Sequence, residues 1–116
     1  MDQTTLGHQF LAKEFGFKPR VGWQIDPFGH SSTQASLLSW AAGFDALYFG
    51  RIDYQDREGR QAAQECEGVW RSSESLGADA QVFWGLTGSY GGNYGAPSGY
   101  DFDLFNSGAV PVMDDE

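Results

Sequence analysis

The sequence is poor in several things, and each shortage excludes something. Its single cysteine, Cys66, rules out an intrachain disulfide and a multi-thiolate zinc site, and leaves the redox compartment open. Seven lysines and arginines stand against sixteen aspartates and glutamates, a formal charge of −9. So acidic a chain repels phosphate backbones and anionic lipid surfaces, and no nucleic-acid binding is expected. No run of about 18 uncharged apolar residues occurs, so no membrane insertion is expected either. Met1 is followed by Asp2, Gln3, Thr4 and Thr5, without a basic segment or an apolar stretch, and no secretory signal is read there. That leaves a cytosolic chain or one whose natural start lies elsewhere. Repeats are missing, as is any linker that would divide the chain, and 116 residues suit one hydrophobic core.

The material for that core is present, since 41% of residues are hydrophobic and 16% aromatic. Leu6, Phe10, Leu11 and Phe15 recur at helical spacing, with Thr4 or Thr5 as cap and Gly16 as stop, and predict a short amphipathic helix. Val21, Trp23 and Ile25 alternate as a strand that ends at Asp26-Pro27. Ser31 and Gln34 have capping-box spacing, and Ala35, Leu37, Leu38, Trp40 and Ala41 predict a well-buried helix up to Gly43. Ala46 to Phe49 is a continuous apolar run of the kind found in a parallel strand covered on both faces. Beyond Asp53, the residues Ala62, Ala63, Cys66, Val69 and Trp70 form one stripe of a further helix, which leaves near Gly77. Ala80 to Leu86 is the next strand, and the glycine-rich stretch to Gly108, with Tyr90, Tyr94 and Tyr100, is read as loop. The alternation predicts an α/β fold, a mostly parallel sheet with flanking helices. In such sheets ligands bind at the carboxyl ends of the strands, where Asp26, Arg51 and the Tyr90 to Tyr100 loop should converge.

The densest chemistry lies in Gly22-Trp23-Gln24-Ile25-Asp26-Pro27-Phe28-Gly29-His30-Ser31. Pro27 biases Asp26 away from helical backbone and can hold its carboxylate at the strand terminus. A carboxylate there can be a nucleophile, a metal ligand or both, and Asp with His four residues on can bind zinc. The same pair can equally be a turn cap and a histidine satisfying a backbone group.

This string resembles the signature of glycoside hydrolase family 38, the retaining, zinc-dependent α-mannosidases, and is most similar to the lysosomal or vacuolar type. The likeness continues through Gly43-Phe44-Asp45, Phe49-Gly50-Arg51-Ile52-Asp53-Tyr54-Gln55-Asp56 and Val69-Trp70-Arg71, and more loosely through Tyr94-Gly95-Ala96-Pro97. The resemblance implies that Asp26 is both catalytic nucleophile and ligand of Zn2+. It implies that Phe28 lines the apolar side of a sugar site, with a core residue beneath the loop as the alternative. Arg51 would contact the nucleophile or the sugar, the alternative being a surface arginine paired with Asp53. Tyr94 would offer its hydroxyl to nucleophile or substrate, although Tyr90 and Tyr100 compete for that place. His30 reads as a support rather than a ligand, and neither Asp53 nor Asp56 is nominated as the acid.

The implied substrates are mannose-containing glycans, and the implied compartment is lysosome or vacuole. Departures from the pattern are equally informative. The family completes its zinc site with a His-x-Asp pair on an earlier strand and a distant histidine, and its acid/base aspartate lies well downstream. None of these is found here, so residues 1–116 read as part of a catalytic domain truncated at both ends, without turnover of their own. The competing readings are a noncatalytic carbohydrate-binding or partner-binding module, or a remnant without independent function. Strands cut from a larger sheet should leave bare edges and apolar faces.

Overall fold

The computed structural model describes residues 1–88. Helix α1 spans Asp2–Phe15 and ends where Gly16 adopts a left-handed conformation at φ 62°, which a residue without a Cβ reaches without strain. Its start differs from the expectation: Met1 is the cap, and the Thr5 hydroxyl donates back to the Met1 carbonyl at 3.1 Å. None of its residues is buried. Phe10 and Phe15 meet edge to face at 6.2 Å, and His8 makes a T-shaped ring contact with Phe44 at 5.1 Å.

Strand β1 is Val21–Gln24. The helix α2, Ser32–Ser36, begins at Ser31, whose hydroxyl accepts the Gln34 amide at 3.0 Å, as the capping-box spacing predicts. It runs on as a wider π-helical turn over Leu37–Ala41. Ala35, Leu38 and Ser39 are buried there, while Trp40 faces solvent. Strand β2, Ala46–Phe49, pairs in parallel with β1. Before it, Asp45 accepts the Arg20 Nε–H, and that hydrogen bond and charge hold the guanidinium above its ordinary pKa. So exposed a pair adds little to stability.

The main correction falls on the third helix. Helix α3 spans Tyr54–Ala63, and Gln64 ends it in the left-handed region at φ 59°. Glu67–Arg71 is then a strand, β3, and not a helical stripe. After a short 3₁₀ turn at Gly77–Ala80, strand β4 spans Gln81–Leu86. The sheet order is β1-β2-β4-β3, with β2–β4 parallel and β3–β4 antiparallel. The sheet is thus mostly parallel, with an antiparallel edge.

Side chains alternate across the pleat, so the register sorts them by face. On one face, Leu47 and Val82 pack with Ala35, Leu38 and Phe44, while Phe49 and Leu86 pack with Cys66 and Trp84. The other face carries Val21, Trp23, Phe83 and Val69, all exposed. Among the described residues the apolar run Ala46 to Phe49 is therefore covered on one side only. No helix among them is long and apolar enough to cross a membrane.

Gly85 marks a close approach. A Cβ there would lie 2.7 Å from Tyr48 Cε1 and 3.0 Å from Cδ1, and the Tyr48 ring already leans on Phe83 at 6.2 Å. Gly85→Ala should cost about 1–3 kcal/mol by overpacking. Gly59→Ala, inside α3 with nothing within 4 Å of the added methyl, should instead gain about 0.5–1 kcal/mol. Urea midpoints of the two variants check the opposite signs, and an unchanged midpoint for Gly85→Ala would refute the close packing.

Candidate functional site

Parallel pairing places Gln24, Phe49 and Leu86 in one row, so the residues that follow them crowd one edge of the sheet. The ladders continue past the strands: the Gly50 amide donates to Gln24 O at 3.1 Å and the Thr87 amide to Phe49 O at 2.9 Å. Asp26 leaves β1, Arg51 leaves β2 and Gly88 leaves β4 within this cluster.

Arg51 Nε–H donates to Asp26 Oδ1, forming an ion pair whose side chains are 42% and 44% exposed. The carboxylate therefore has a cationic partner and open access to solvent. The Arg51 guanidinium also lies over the Phe28 ring, 5.1 Å from its centroid, at cation–π range. Phe28 is 88% exposed, which excludes the core reading. Asp26, Phe28 and Arg51, separated in sequence, form one surface cluster. Asp53 has another job: its Oδ1 accepts the Gln55 and Asp56 amides at 3.0 and 3.1 Å and caps α3. Tyr94, with Tyr90 and Tyr100, lies outside the described residues.

Two residues that sequence reasoning undervalued or missed hold this edge together. His30 Nε2–H donates to the Arg51 carbonyl at 2.7 Å, and its ring rests on Phe49 with centroids 4.4 Å apart. Arg57, on the first turns of α3, donates from Nη1 to Gly50 O at 3.3 Å and from Nη2 to Gly88 O at 2.8 Å. Nothing in the sequence marks Arg57, because its partners are main-chain carbonyls. A cleft of about 900 Å3 opens beneath the loop, lined by Trp23, Phe28, His30, Tyr48 and Phe49 among others. Asp26 and Arg51 are not in its lining and stand outside it, at the strand ends.

A zinc ion takes about four N, O or S ligands. No group of three or more His, Cys, Asp or Glu side chains comes together among the described residues. These residues therefore do not make a zinc centre by themselves, and Asp26 is the carboxylate they bring to the strand ends.

The family model for the Glycosyl hydrolases family 38 N-terminal domain matches residues 1–109. The chain belongs to glycosyl hydrolase family 38. It is 52% identical to an alpha-mannosidase of Arabidopsis thaliana and 50% identical to an alpha-mannosidase of Canavalia ensiformis, in each case over 99% of this chain and 11% of the relative. A lysosomal alpha-mannosidase of Dictyostelium discoideum is 46% identical over the same shares. The family 38 chain thus spans about a tenth of the length of these curated relatives. Its mixed sheet is part of the family's N-terminal domain, and the string from Gly22 to Ser31 runs from β1 into the loop that bears Asp26.

Proposed function

We propose that the chain supplies the nucleophile edge of a retaining, zinc-dependent α-mannosidase that removes terminal α-linked mannose from glycans in a lysosome or vacuole. The observation that carries this reading is the cluster at the strand ends: an accessible Asp26 carboxylate, paired with Arg51, beside an exposed aromatic ring. A retaining glycosidase needs one carboxylate to attack the anomeric carbon. That oxygen forms a glycosyl ester as the bond to the leaving oxygen breaks, and a second carboxyl about 5–5.5 Å away protonates the leaving group and later activates water. Asp26 takes the first role. Arg51 favours its ionised form and aims it, and the Phe28 ring gives the C–H face of a sugar an apolar surface. Tyr94 is proposed as a hydroxyl donor to substrate or nucleophile.

Zinc, when bound, would orient sugar hydroxyls and supply positive charge, with Asp26 as one ligand. Residues 1–116 alone are expected to turn over no substrate. The exposed Phe28 favours a second reading, a surface that binds mannose without chemistry.

The test uses the protein at the length its transcript encodes, supplied with zinc and an aryl α-mannoside. Mannose release that disappears on substitution of Asp26 supports the first reading. No release, with calorimetric heat on adding mannose in the presence of chelator, would replace it with the second.

A further inference from the structure

We propose that His30 and Arg57 are positioning residues that hold the Gly50–Arg51 backbone as a clamp, and so set the Arg51 side chain against Asp26 and Phe28. The inference rests on the proposed hydrolase reading for its catalytic consequence, but its structural content stands apart from it.

Arg51 follows β2 outside the regular ladder, where a bare loop would let its guanidinium wander. Its backbone is tied from two directions. His30, on the same loop as Asp26 and Phe28, donates to the Arg51 carbonyl at 2.7 Å, and so joins the loop bearing the carboxylate to the one bearing the cation. Packing of the imidazole on Phe49 at 4.4 Å limits the ring's rotation. From the other side, Arg57 donates to the preceding carbonyl, Gly50 O, at 3.3 Å and to Gly88 O, past the end of β4, at 2.8 Å. Asp53 caps α3 through two amides, fixing the turn from which Arg57 reaches. Consecutive carbonyls are thus gripped by different side chains, one from the β1–α2 loop and one from α3. The planar guanidinium fork suits two carbonyls in different directions, whereas a lysine ammonium is a single point donor. Both hold main-chain carbonyls and act through Arg51.

The experiment has a structural arm and a kinetic arm. By NMR on the 116-residue chain, His30 should be the Nε2–H tautomer, and the Arg51 Nε–H should exchange slowly with water. His30→Ala should speed that exchange at least tenfold, and His30→Gln, which keeps a donor, should restore most of it. Arg57→Lys should speed it to an intermediate degree. An Nδ1–H tautomer in the unsubstituted chain would overturn the proposal without any variant. So would Arg51 Nε–H exchange unchanged in His30→Ala and in Arg57→Lys. The kinetic arm uses the protein at transcript length: His30→Ala should lower kcat about 100-fold, the scale of a small misplacement near the reacting atoms, with KM nearly constant and partial rescue in His30→Gln. Equal losses in the Ala and Gln variants would assign His30 a merely structural role. If the unsubstituted protein releases no mannose, the hydrolase reading fails and the NMR arm alone decides the clamp.

Discussion

Asp26→Asn is expected to lower the rate of mannose release from an aryl α-mannoside by on the order of 10⁴-fold or more, the scale seen when a nucleophile is removed from an acyl- or glycosyl-transfer site. The substitution is nearly isosteric, so the loop geometry survives while the attacking oxygen loses its charge and nucleophilicity. It also replaces the anionic acceptor of Arg51 Nε–H by a neutral amide oxygen. KM should move far less than kcat, because sugar contacts from neighbouring residues remain. The measurement is made on the protein at transcript length, with circular dichroism to show that both forms are folded. A variant retaining more than a tenth of the rate would take the nucleophile role away from Asp26.

Phe44→Ala is the second large effect, and it concerns stability. Phe44 is 9% exposed and packs with Ala35, Leu38, Leu47 and Val82, with the His8 ring of α1 added in a T-shaped contact. Emptying such a site costs about 3–5 kcal/mol, the transfer of the ring plus the cavity left behind. Domains are stable by only about 5–15 kcal/mol in total, and the buried core here is small. The variant should therefore be largely unfolded in moderate urea, where the parent chain is folded. Phe28→Ala is the natural control, since a ring 88% exposed should change stability by less than about 0.5 kcal/mol. Comparable urea midpoints for the two variants would mean that the Phe44 cluster is not the centre of the fold.

Where local signals were strong, the sequence was readable. Gly16 stopped α1, Ser31 with Gln34 started α2, and the β-branched and aromatic runs became β1, β2 and β4. The failure at β3 has a specific cause. Ala62, Ala63, Cys66, Val69 and Trp70 fit a helical stripe by number, and no glycine or proline interrupts them before Gly68. The residue that ends α3 is Gln64 in a left-handed conformation, which its side chain does not advertise. Pairing with β4 then decides the outcome: Trp70 lies opposite Val82 and Val69 opposite Phe83. Tertiary pairing overrode a plausible period.

The site was legible to a similar degree. The parallel alternation led to an expected convergence of Asp26, Arg51 and the Tyr90 to Tyr100 loop; Asp26 and Arg51 meet as an ion pair, and the loop lies outside the described residues. The hydrogen bonds of His30 and Arg57 to main-chain carbonyls could not be read in advance, because any residue supplies a carbonyl and only the folded path places it.

The clamp around Gly50 and Arg51 is made with neutral acceptors, whereas the contact it serves is between opposite charges on partly exposed side chains. Ionic strength should separate the two. At about 1 M salt the screening length falls to roughly 3 Å, which weakens the attraction between Arg51 and Asp26 but leaves hydrogen bonds to carbonyls largely intact. The frame of the three strand ends would then persist while the carboxylate becomes less tightly held, so added salt tunes how firmly Asp26 is gripped without moving the loops that present it.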